Sequence, residues 1–235
     1  MQLDLREATR FLSADESTIQ KWVRRGDLRA RKVNDQLLFD HVDLFEFASA
    51  HGIDVPPEML VDPAAKAQPL PRLVDAVRKG GVHADVPGTD KASALRAVVD
   101  RLRIPPELDR SFLHQMLLAR ENLGSTGFGH GIAIPHPRHP IVLRVLEPSV
   151  SVSYLANPVE FDAVDGRPVH TLFTLISPSV RVHLHLLALL AAALRDADVL
   201  SRIEARAPEA DLVEALGRVE EAVASRRPAG PGKSS

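Results

Sequence analysis

A histidine that follows a glycine-rich loop is the residue of this sequence best suited to chemistry. Residues 124–136 contain four glycines, then a short apolar run, a proline and His136. Because glycine has no Cβ, the backbone N–H groups of such a loop can approach a bound anion closely. The apolar run 132–134 predicts a short buried strand, which Pro135 ends because proline has no N–H to donate. We therefore expect His136 at a strand end beside an anion-binding loop, where an imidazole suits the acceptance and transfer of a phosphoryl group.

The same segment has simpler interpretations. A histidine in a flexible surface turn needs no function at all. A nucleotide-binding loop is disfavoured, because no Lys-Ser/Thr pair follows and the glycine spacing is not G-x-G-x-x-G. A metal site is also disfavoured, because the spacing of the nearby histidines fits no standard zinc pattern and the chain has no cysteine. These histidines are His130, His136, His139, His183 and His185. Neither a metal nor a cofactor is expected.

The thirteen residues 124–136 closely resemble the active-site signature of the enzyme IIA domains of the bacterial phosphotransferase system. The resemblance is to the fructose/mannitol and nitrogen-regulatory type. It extends to the lead-in that precedes the loop, to a strand-turn-strand segment and to a second histidine motif at a helix start, which are residues 120–123, 161–169 and 183–188. Together these segments cover about residues 70–225. Pro137 departs from the pattern, since glycine is common there, and it stiffens the chain where a donor protein would dock.

The resemblance implies a role for each residue of the site. His136 would accept the phosphoryl group from an N-phosphorylated histidine on a small carrier protein. Arg120 would hold the phosphoryl oxygens with its permanently charged fork, unless it only pairs with a nearby acid such as Glu121. His183 would be the neighbouring imidazole, at a helix start that favours anions, and His185 is the second choice for that position. The loop would bind phosphate through Gly124, Ser125, Thr126 and Gly127.

Composition is that of an ordinary globular protein. The 235 residues are 45% hydrophobic and 26% charged, and a net charge of −2 gives no overall attraction to nucleic acid or membrane. The absence of cysteine excludes disulfides, thiolate metal sites and the phosphotransferase components that carry phosphate on cysteine. The longest apolar run, 184–194, is too short to span a bilayer, and no signal peptide is recognisable. We expect a cytoplasmic protein without membrane insertion.

The first fifty residues are organised differently. Apolar spacing predicts a helix over 5–12 and another over 17–23, with Gly26 as its terminator. Residues 28–33 and 36–39 flank Asn34-Asp35 and predict a hairpin, after which Asp40 is the expected N-cap of a helix through Ala48. This order resembles the excisionase/MerR-type winged helix-turn-helix, most clearly in residues 17–28.

The chemistry of this segment suits DNA. Residues 21–32 hold six cations against one acid, Asp27, although acids at 35, 40, 43 and 46 also allow a plain solvated face. Cations on a recognition helix and wing neutralise phosphates, while short polar side chains can reach base edges. The predicted contact residues are Ser17, Thr18, Gln20, Lys21, Arg24, Arg25, Arg29, Arg31 and Lys32.

The predicted domains are a winged helix-turn-helix over 1–50, a Pro-rich linker over 51–70, an enzyme IIA-like domain over 71–225 and a disordered tail over 226–235. In the larger domain, helices are expected over 91–102, with Ala92 on its apolar stripe, and from Pro105-Pro106 to about Arg120, with Phe112 facing inward. A further helix is expected over 179–194, with shorter ones to about residue 224. Strands are expected over 132–134, 150–155 and 169–176. Alternating strands and helices predict an α/β or α+β fold, and the resemblance implies a mixed sheet flanked by helices.

Three functions stay open. The first is a regulatory phosphocarrier whose phosphorylation at His136 is coupled to DNA binding; it would be of the transferase class if active, and a homodimer would let it contact two half-sites. The second is a sugar-transport component whose amino-terminal domain binds protein. The third is a transcription factor whose enzyme IIA-like domain senses a ligand without phosphorylation. The partners implied are a phosphohistidine carrier protein, DNA, and a downstream phosphotransferase component or regulatory target.

Overall fold

The computed structural model describes residues 2–33, 36–51, 53, 55, 69–138, 143 and 145–225. The chain divides into two compact units, residues 1–69 and 70–235. Most of the linker predicted over 51–70, and the whole tail predicted over 226–235, lie outside the described residues. So does the predicted hairpin turn Asn34-Asp35.

The first unit combines three helices with a small antiparallel sheet. Its elements are β1 (Gln2–Leu3), α1 (Leu5–Leu12), α2 (Glu16–Arg25), β2 (Arg31–Val33), β3 (Gln36–Asp40) and α3 (His41–Ala50). The strands have the order β1-β3-β2, and Val33 lies opposite Gln36 as the hairpin prediction requires. Strand β1 is too short to give a sequence pattern and was not expected. Phe11, Ile19 and Phe39 are fully buried at the centre of the unit.

The helix ends of the first unit follow from capping side chains. Asp4 and Glu7 form a reciprocal capping box at the start of α1. Asp15 caps α2 by accepting from the N–H of Thr18 at 2.8 Å. Gly26 ends α2 with φ of 82°, a conformation that glycine adopts without steric cost, and this confirms its predicted role.

The second unit is built on a five-stranded mixed sheet. Its elements are α4 (Leu73–Gly80), β4 (Val82–Val86), α5 (Lys91–Arg101), α6 (Arg110–Glu121), β5 (Gly127–Gly129), β6 (Ile132–Ala133), β7 (Ser149–Val159), β8 (Val169–Ile176), α7 (Val180–Ala193), α8 (Ala197–Glu204) and α9 (Glu209–Ser225). The strand order is β4-β7-β8-β6-β5. The β4–β7 and β6–β8 pairs are parallel and the other two pairs are antiparallel. This confirms the predicted fold class.

One apolar cluster joins α5 and α6 to the sheet. Leu95 and Leu113 are fully buried in the same cluster as Leu155 and Leu172 of the two central strands. The opposite face differs, because Tyr154 extends away from this cluster and its hydroxyl donates to the carbonyl of Ala207 at 3.1 Å. Helices therefore cover both faces of the sheet, as expected for a mixed sheet without a solvated side.

Two sequence predictions about these helices were wrong. Helix α6 begins at Arg110 and not at Pro105-Pro106, because Asp109 accepts from the N–H of Ser111 at 2.7 Å and is the stronger N-cap. Phe112, expected to face inward, is 41% exposed, and Ala92 of α5 is exposed while Ala94 is buried.

Among the described residues, none of the helices combines the length and the apolar character that a membrane span requires.

Candidate active site

His136 lies just beyond the short strand β6, on a segment that stays bonded to its neighbours. The N–H of Ile134 donates to the carbonyl of Thr126 at 3.0 Å, and the carbonyl of Pro135 accepts from Leu175 of β8 at 3.0 Å. The backbone that carries His136 is therefore fixed from both sides. The side chain is only 3% exposed, and its Nδ1 lies 2.6 Å from the carbonyl oxygen of Ile134.

The contact with Ile134 assigns the tautomer of His136. A carbonyl oxygen only accepts hydrogen bonds, so Nδ1 of His136 must carry a proton. In a neutral imidazole the other nitrogen, Nε2, then holds the lone pair. The geometry thus leaves Nε2 as the nucleophilic atom of this ring.

A second buried imidazole lies directly beside the first. Helix α7 begins at Val180 with Ser179 as its N-cap, which places His183 in the first turn. The ring of His183 has no exposed surface, and its centroid is 5.1 Å from that of His136, with the two planes at 57°. Its Nδ1 lies 3.1 Å from Oγ of Ser177. The sequence pointed to His183, whereas the contact with Ser177 was missed, because a serine between a strand and a proline carries no motif.

The structure separates His183 from its alternative, His185. Two residues along a helix correspond to about 200° of rotation, so the two side chains point in nearly opposite directions. Nε2 of His185 lies 3.0 Å from the carbonyl oxygen of Pro71, at the entrance to α4. His185 therefore anchors α7 to α4, and His183 is the histidine adjacent to His136.

Arg120 and Glu121 end helix α6 and shape the loop that follows it. Arg120 is 7% exposed, and its Nη1 donates to the carbonyl of Gly124 at 2.7 Å. Glu121 is 4% exposed, and its Oε2 accepts from both the N–H and the hydroxyl of Thr126, at 3.0 and 2.6 Å. Lys91 lies 3.5 Å from Oε1 of Glu121, so the buried carboxylate has a cation beside it. Sequence analysis missed these tertiary contacts of Glu121.

The predicted phosphate-binding loop is tied to the protein by its own polar groups. Besides the contacts of Thr126 with Glu121, the hydroxyl of Ser125 donates to the carbonyl of Phe161 and accepts from the N–H of Gly127 at 2.9 Å. The N–H of Gly124 donates to the carbonyl of Glu121 at 3.1 Å. Contact of these donors with a phosphoryl group would therefore require exchange of existing hydrogen bonds.

The later glycines of the motif form a tight β-hairpin. Strands β5 and β6 are joined by His130 and Gly131, with φ of 55° and 69°, the positive values that a two-residue hairpin turn needs. A Cβ on Gly131 would lie 2.3 Å from the ring of His170, so only glycine fits there. The N–H of His130 donates to Oδ2 of Asp165 at 2.8 Å. Burial alone would raise the pKa of Asp165, but this bond and the N–H of Arg167 outweigh it and lower the pKa.

These positions also bear on the metal alternative. The side chain of His130 is exposed on the hairpin turn, and His139 lies outside the described residues. Within the described part of the chain, no three side chains of histidine, aspartate or glutamate are grouped so that they could hold a metal ion.

The first unit presents cations on one helix end and one strand. Arg24 and Arg25 occupy the last turn of α2, and β2 carries Arg31 and Lys32. The side chains of all the predicted DNA-contacting cations are exposed; these are Lys21, Arg24, Arg25, Arg29, Arg31 and Lys32. Gln20 is exposed as well.

Two of the predicted base-contacting residues have a local role. The hydroxyls of Ser17 and Thr18 donate to the carboxylate of Asp15 at 2.7 and 3.1 Å. The bond from Ser17 and the N–H of Thr18 hold the pKa of Asp15 below its usual value. Ser17 and Thr18 therefore stabilise the start of α2, and a base contact would have to share their hydroxyls.

The fold and the arrangement of the site agree with a known family. The family described as "Phosphoenolpyruvate-dependent sugar phosphotransferase system, EIIA 2" matches residues 76–218, and the chain belongs to it. A helix-turn-helix domain family matches residues 3–52. The predicted resemblance to both families is thereby confirmed.

Within this family the chain is similar to nitrogen regulatory proteins. One from Pseudomonas aeruginosa is 42% identical over 143 residues, which cover 60% of this chain and 90% of that protein. One from Escherichia coli is 36% identical over 119 residues, covering 49% of this chain and 69% of that protein. The crystal structure of the nitrogen regulatory protein IIA-Ntr from Neisseria meningitidis is 27% identical with a TM-score of 0.54, covering 61% of this chain and 98% of that one.

Proposed function

We propose that this chain is a regulatory phosphocarrier of the phosphotransferase system that also binds DNA. His136 accepts a phosphoryl group from a phosphohistidine carrier protein, and the first unit converts the phosphorylation state into occupancy of a DNA site. The observation that carries this proposal is the pair of buried imidazoles, 5.1 Å apart, in which Nδ1 of His136 contacts a carbonyl. A histidine with only a structural role does not need a second imidazole beside it.

The chemical step follows from the tautomer of His136. The lone pair of Nε2 attacks phosphorus, the P–N bond of the donor phosphohistidine breaks, and its electron pair returns to the donor imidazole. The proton on Nδ1 of His136 stays in its bond to Ile134 throughout. Such transfers pass through a loose transition state, so the protein contributes chiefly position and charge.

Three features of the site would stabilise the transferred group. Arg120 contributes a guanidinium with fixed charge, and its bond to Gly124 holds the side chain at the end of α6. The first turn of α7, which carries His183, contributes the positive end of a helix dipole. His183 contributes a second imidazole, whose ring centroid lies 5.1 Å from that of His136.

DNA binding rests on the exposed cations of the first unit and on its helix-turn-helix family. Helix α2 would contact the major groove, while Arg31 and Lys32 of β2 would contact backbone phosphates. One such unit contacts one half-site, so a homodimer would contact two. Phosphorylation of His136 adds negative charge, which can alter docking of a target protein or a downstream phosphotransferase component.

A paired assay tests both halves of this proposal. The full chain is incubated with a phosphorylated histidine carrier, acid-labile phosphate is measured by mass spectrometry, and affinity for genomic DNA fragments is measured before and after. We expect one phosphate per chain and a change in DNA affinity. Labelling without DNA binding would favour a transport component with a protein-binding amino-terminal unit. DNA binding without labelling would favour a ligand-sensing transcription factor.

A further inference from the structure

The two buried imidazoles of the site differ in the chemistry of their Nδ1 contacts. Nδ1 of His136 lies against the carbonyl oxygen of Ile134, whereas Nδ1 of His183 lies against the hydroxyl of Ser177. A carbonyl only accepts a hydrogen bond, but a hydroxyl donates or accepts according to its partner. The proton position is therefore fixed on His136, whereas the bond at His183 can reverse its direction.

Ser177 lies in a constrained position beside the Nδ1 edge of His183. It follows Ile176, the last residue of β8, and precedes Pro178, whose φ is restricted. Neither Ser177 nor His183 has any exposed surface, so solvent does not compete for their 3.1 Å contact. A buried hydroxyl can bond to either tautomer of an imidazole, so Ser177 allows a proton on Nε2 by donating to a bare Nδ1.

We propose that Ser177 is a positioning residue that keeps a proton on Nε2 of His183, an inference that rests on the proposed function of the site. When His183 is neutral, Ser177 donates to Nδ1 and the proton lies on Nε2. When His183 is an imidazolium, the hydroxyl turns and accepts from Nδ1–H, and Nε2 still carries a proton. His183 thus presents an N–H in both charge states.

The alternative tautomer of His183 shows why the position of its proton affects phosphoryl transfer. With its proton on Nδ1, neutral His183 would hold a lone pair on Nε2, in a ring whose centroid lies 5.1 Å from that of His136. Lone pairs and anionic oxygens repel each other, whereas an N–H donor stabilises the transferred charge. The two rings therefore have opposite assignments: His136 is the nucleophile through Nε2, and His183 is a donor through Nε2–H.

Removal of the hydroxyl should affect chemistry more than folding. Ser177→Ala leaves the backbone and the volume almost unchanged but removes the hydroxyl that would donate to Nδ1 of His183. Partners that orient a metal-bound histidine are commonly worth 10–100-fold, and by analogy we expect phosphoryl transfer to slow by about tenfold. Ser177→Thr keeps a hydroxyl and should retain most of the rate.

Nuclear magnetic resonance of the ring nitrogens tests the tautomers without any phosphoryl donor. Two-bond ¹H–¹⁵N correlation spectra of the full chain, recorded where both rings are neutral, distinguish Nδ1–H from Nε2–H. We expect Nδ1–H for His136 and Nε2–H for His183, with the preference of His183 lost in Ser177→Ala and kept in Ser177→Thr. An Nδ1–H tautomer for His183 in the parent chain would overturn the inference.

Rates of transfer from a phosphorylated histidine carrier give the second measurement. Ser151→Ala is the matched control, because it removes another buried serine hydroxyl, one in strand β7 that makes no hydrogen bond within the described residues. We expect a slower rate for Ser177→Ala alone, and equal rates in both variants would overturn the inference. If the parent chain takes no phosphate, the proposed function fails, and the spectra still decide the tautomer of His183.

Discussion

At the scale of single residues, the chemistry of the site depends on which nitrogen of each imidazole carries a proton. The bond from His136 to a carbonyl requires a proton on Nδ1, so in the neutral ring the lone pair lies on Nε2, the atom proposed to attack phosphorus. The guanidinium of Arg120 also has a hydrogen-bond partner, because its Nη1 donates to the loop carbonyl of Gly124. A guanidinium carries five N–H donors, of which the bond to Gly124 uses one.

Substitution of His136 should abolish phosphorylation without unfolding the protein. His136→Ala removes the only atom to which the proposed P–N bond attaches, so acid-labile phosphate should disappear after incubation with a phosphorylated carrier. His130→Asn is the matched control, because it removes a nearby histidine, and asparagine tolerates the positive φ of 55° at that turn. Phosphate retained in His136→Ala would assign the acceptor elsewhere.

Arg120 should matter through its position as well as its charge. Arg120→Ala removes a cation from the site, and loss of one preorganised donor typically slows a reaction about 100-fold or more. Arg120→Lys keeps the charge but cannot contact the loop and two phosphoryl oxygens at once. Its transfer rate should therefore fall between those of the parent chain and Arg120→Ala. Rapid-quench transfer kinetics measure this order, and equal rates in all three proteins would exclude Arg120 from the site.

At the scale of elements, sequence periodicity predicted the long helices and strands with continuous apolar patterns. It failed for short strands and for element boundaries that are set by local or tertiary contacts. Helix α7 and strand β8 were predicted nearly to the residue because their apolar patterns are continuous. Strands β4 and β5 were missed because they are short and contain polar residues or glycines. The start of α6 was misplaced because the cap of Asp109 outweighs a preceding proline pair.

The candidate site shows the same division. His136, His183 and Arg120 could be singled out because a sequence motif carries them. Ser177 and Glu121 could not, since the contacts of Ser177 with His183 and of Glu121 with Thr126 cross short turns that have no periodic pattern. The ion pair of Glu121 with Lys91 joins two different helices. The glycines of the motif were assigned to anion binding, yet those from 129 to 131 are explained by the geometry of a hairpin.

Strand β8 provides a test of buried hydroxyls. Thr171 and Thr174 are both fully buried, but Thr171 contacts Nδ1 of His170 at 2.8 Å, while the hydroxyl of Thr174 makes no hydrogen bond within the described part of the chain. Thr174→Val keeps the shape and removes an unsatisfied group, so it should raise the free energy of unfolding by about 1 kcal/mol. Thr171→Val loses a bond and should lower it by about 1 kcal/mol. Denaturant titration measures both, and the opposite order would contradict this interpretation.

The cap of helix α2 predicts how the first unit responds to acid. The hydroxyl of Ser17 and the N–H of Thr18 hold the pKa of Asp15 below its ordinary value. A carboxyl with a lowered pKa in the folded state contributes stability that is present above about pH 4 and is lost as the pH falls further. Asp15→Asn keeps an N-cap acceptor that does not titrate, so its melting temperature should fall less between pH 5 and pH 3.

Melting of this helix can be followed in the intact chain. Trp22 is the single tryptophan of the sequence and lies within α2, so its fluorescence reports on the first unit. The parent chain and Asp15→Asn should melt at similar temperatures near neutral pH, and their melting temperatures should diverge only in acid. Parallel loss of stability in both would remove Asp15 as the cause.

At the scale of the whole molecule, the chain joins a phosphotransferase domain to a helix-turn-helix unit. Its net charge is −2, so overall charge does not attract it to DNA. Any affinity must arise from local clusters such as the end of α2 and the strand β2. A local origin is testable, because the same number of charges can be removed from either unit.

Arg24 and Arg25 should carry part of the salt dependence of DNA binding. If each contacts one phosphate, replacing both with alanine should weaken binding and reduce the slope of log affinity against log salt by about 2. Arg78→Ala with Lys79→Ala is the matched control, because these residues also form a consecutive cationic pair at the last turn of a helix, α4 in the second unit. It removes the same charge from the chain, so a general electrostatic attraction would respond equally to both pairs. Fluorescence anisotropy at several salt concentrations separates the two, and an equal loss in both double variants would show that α2 has no specific contact with DNA.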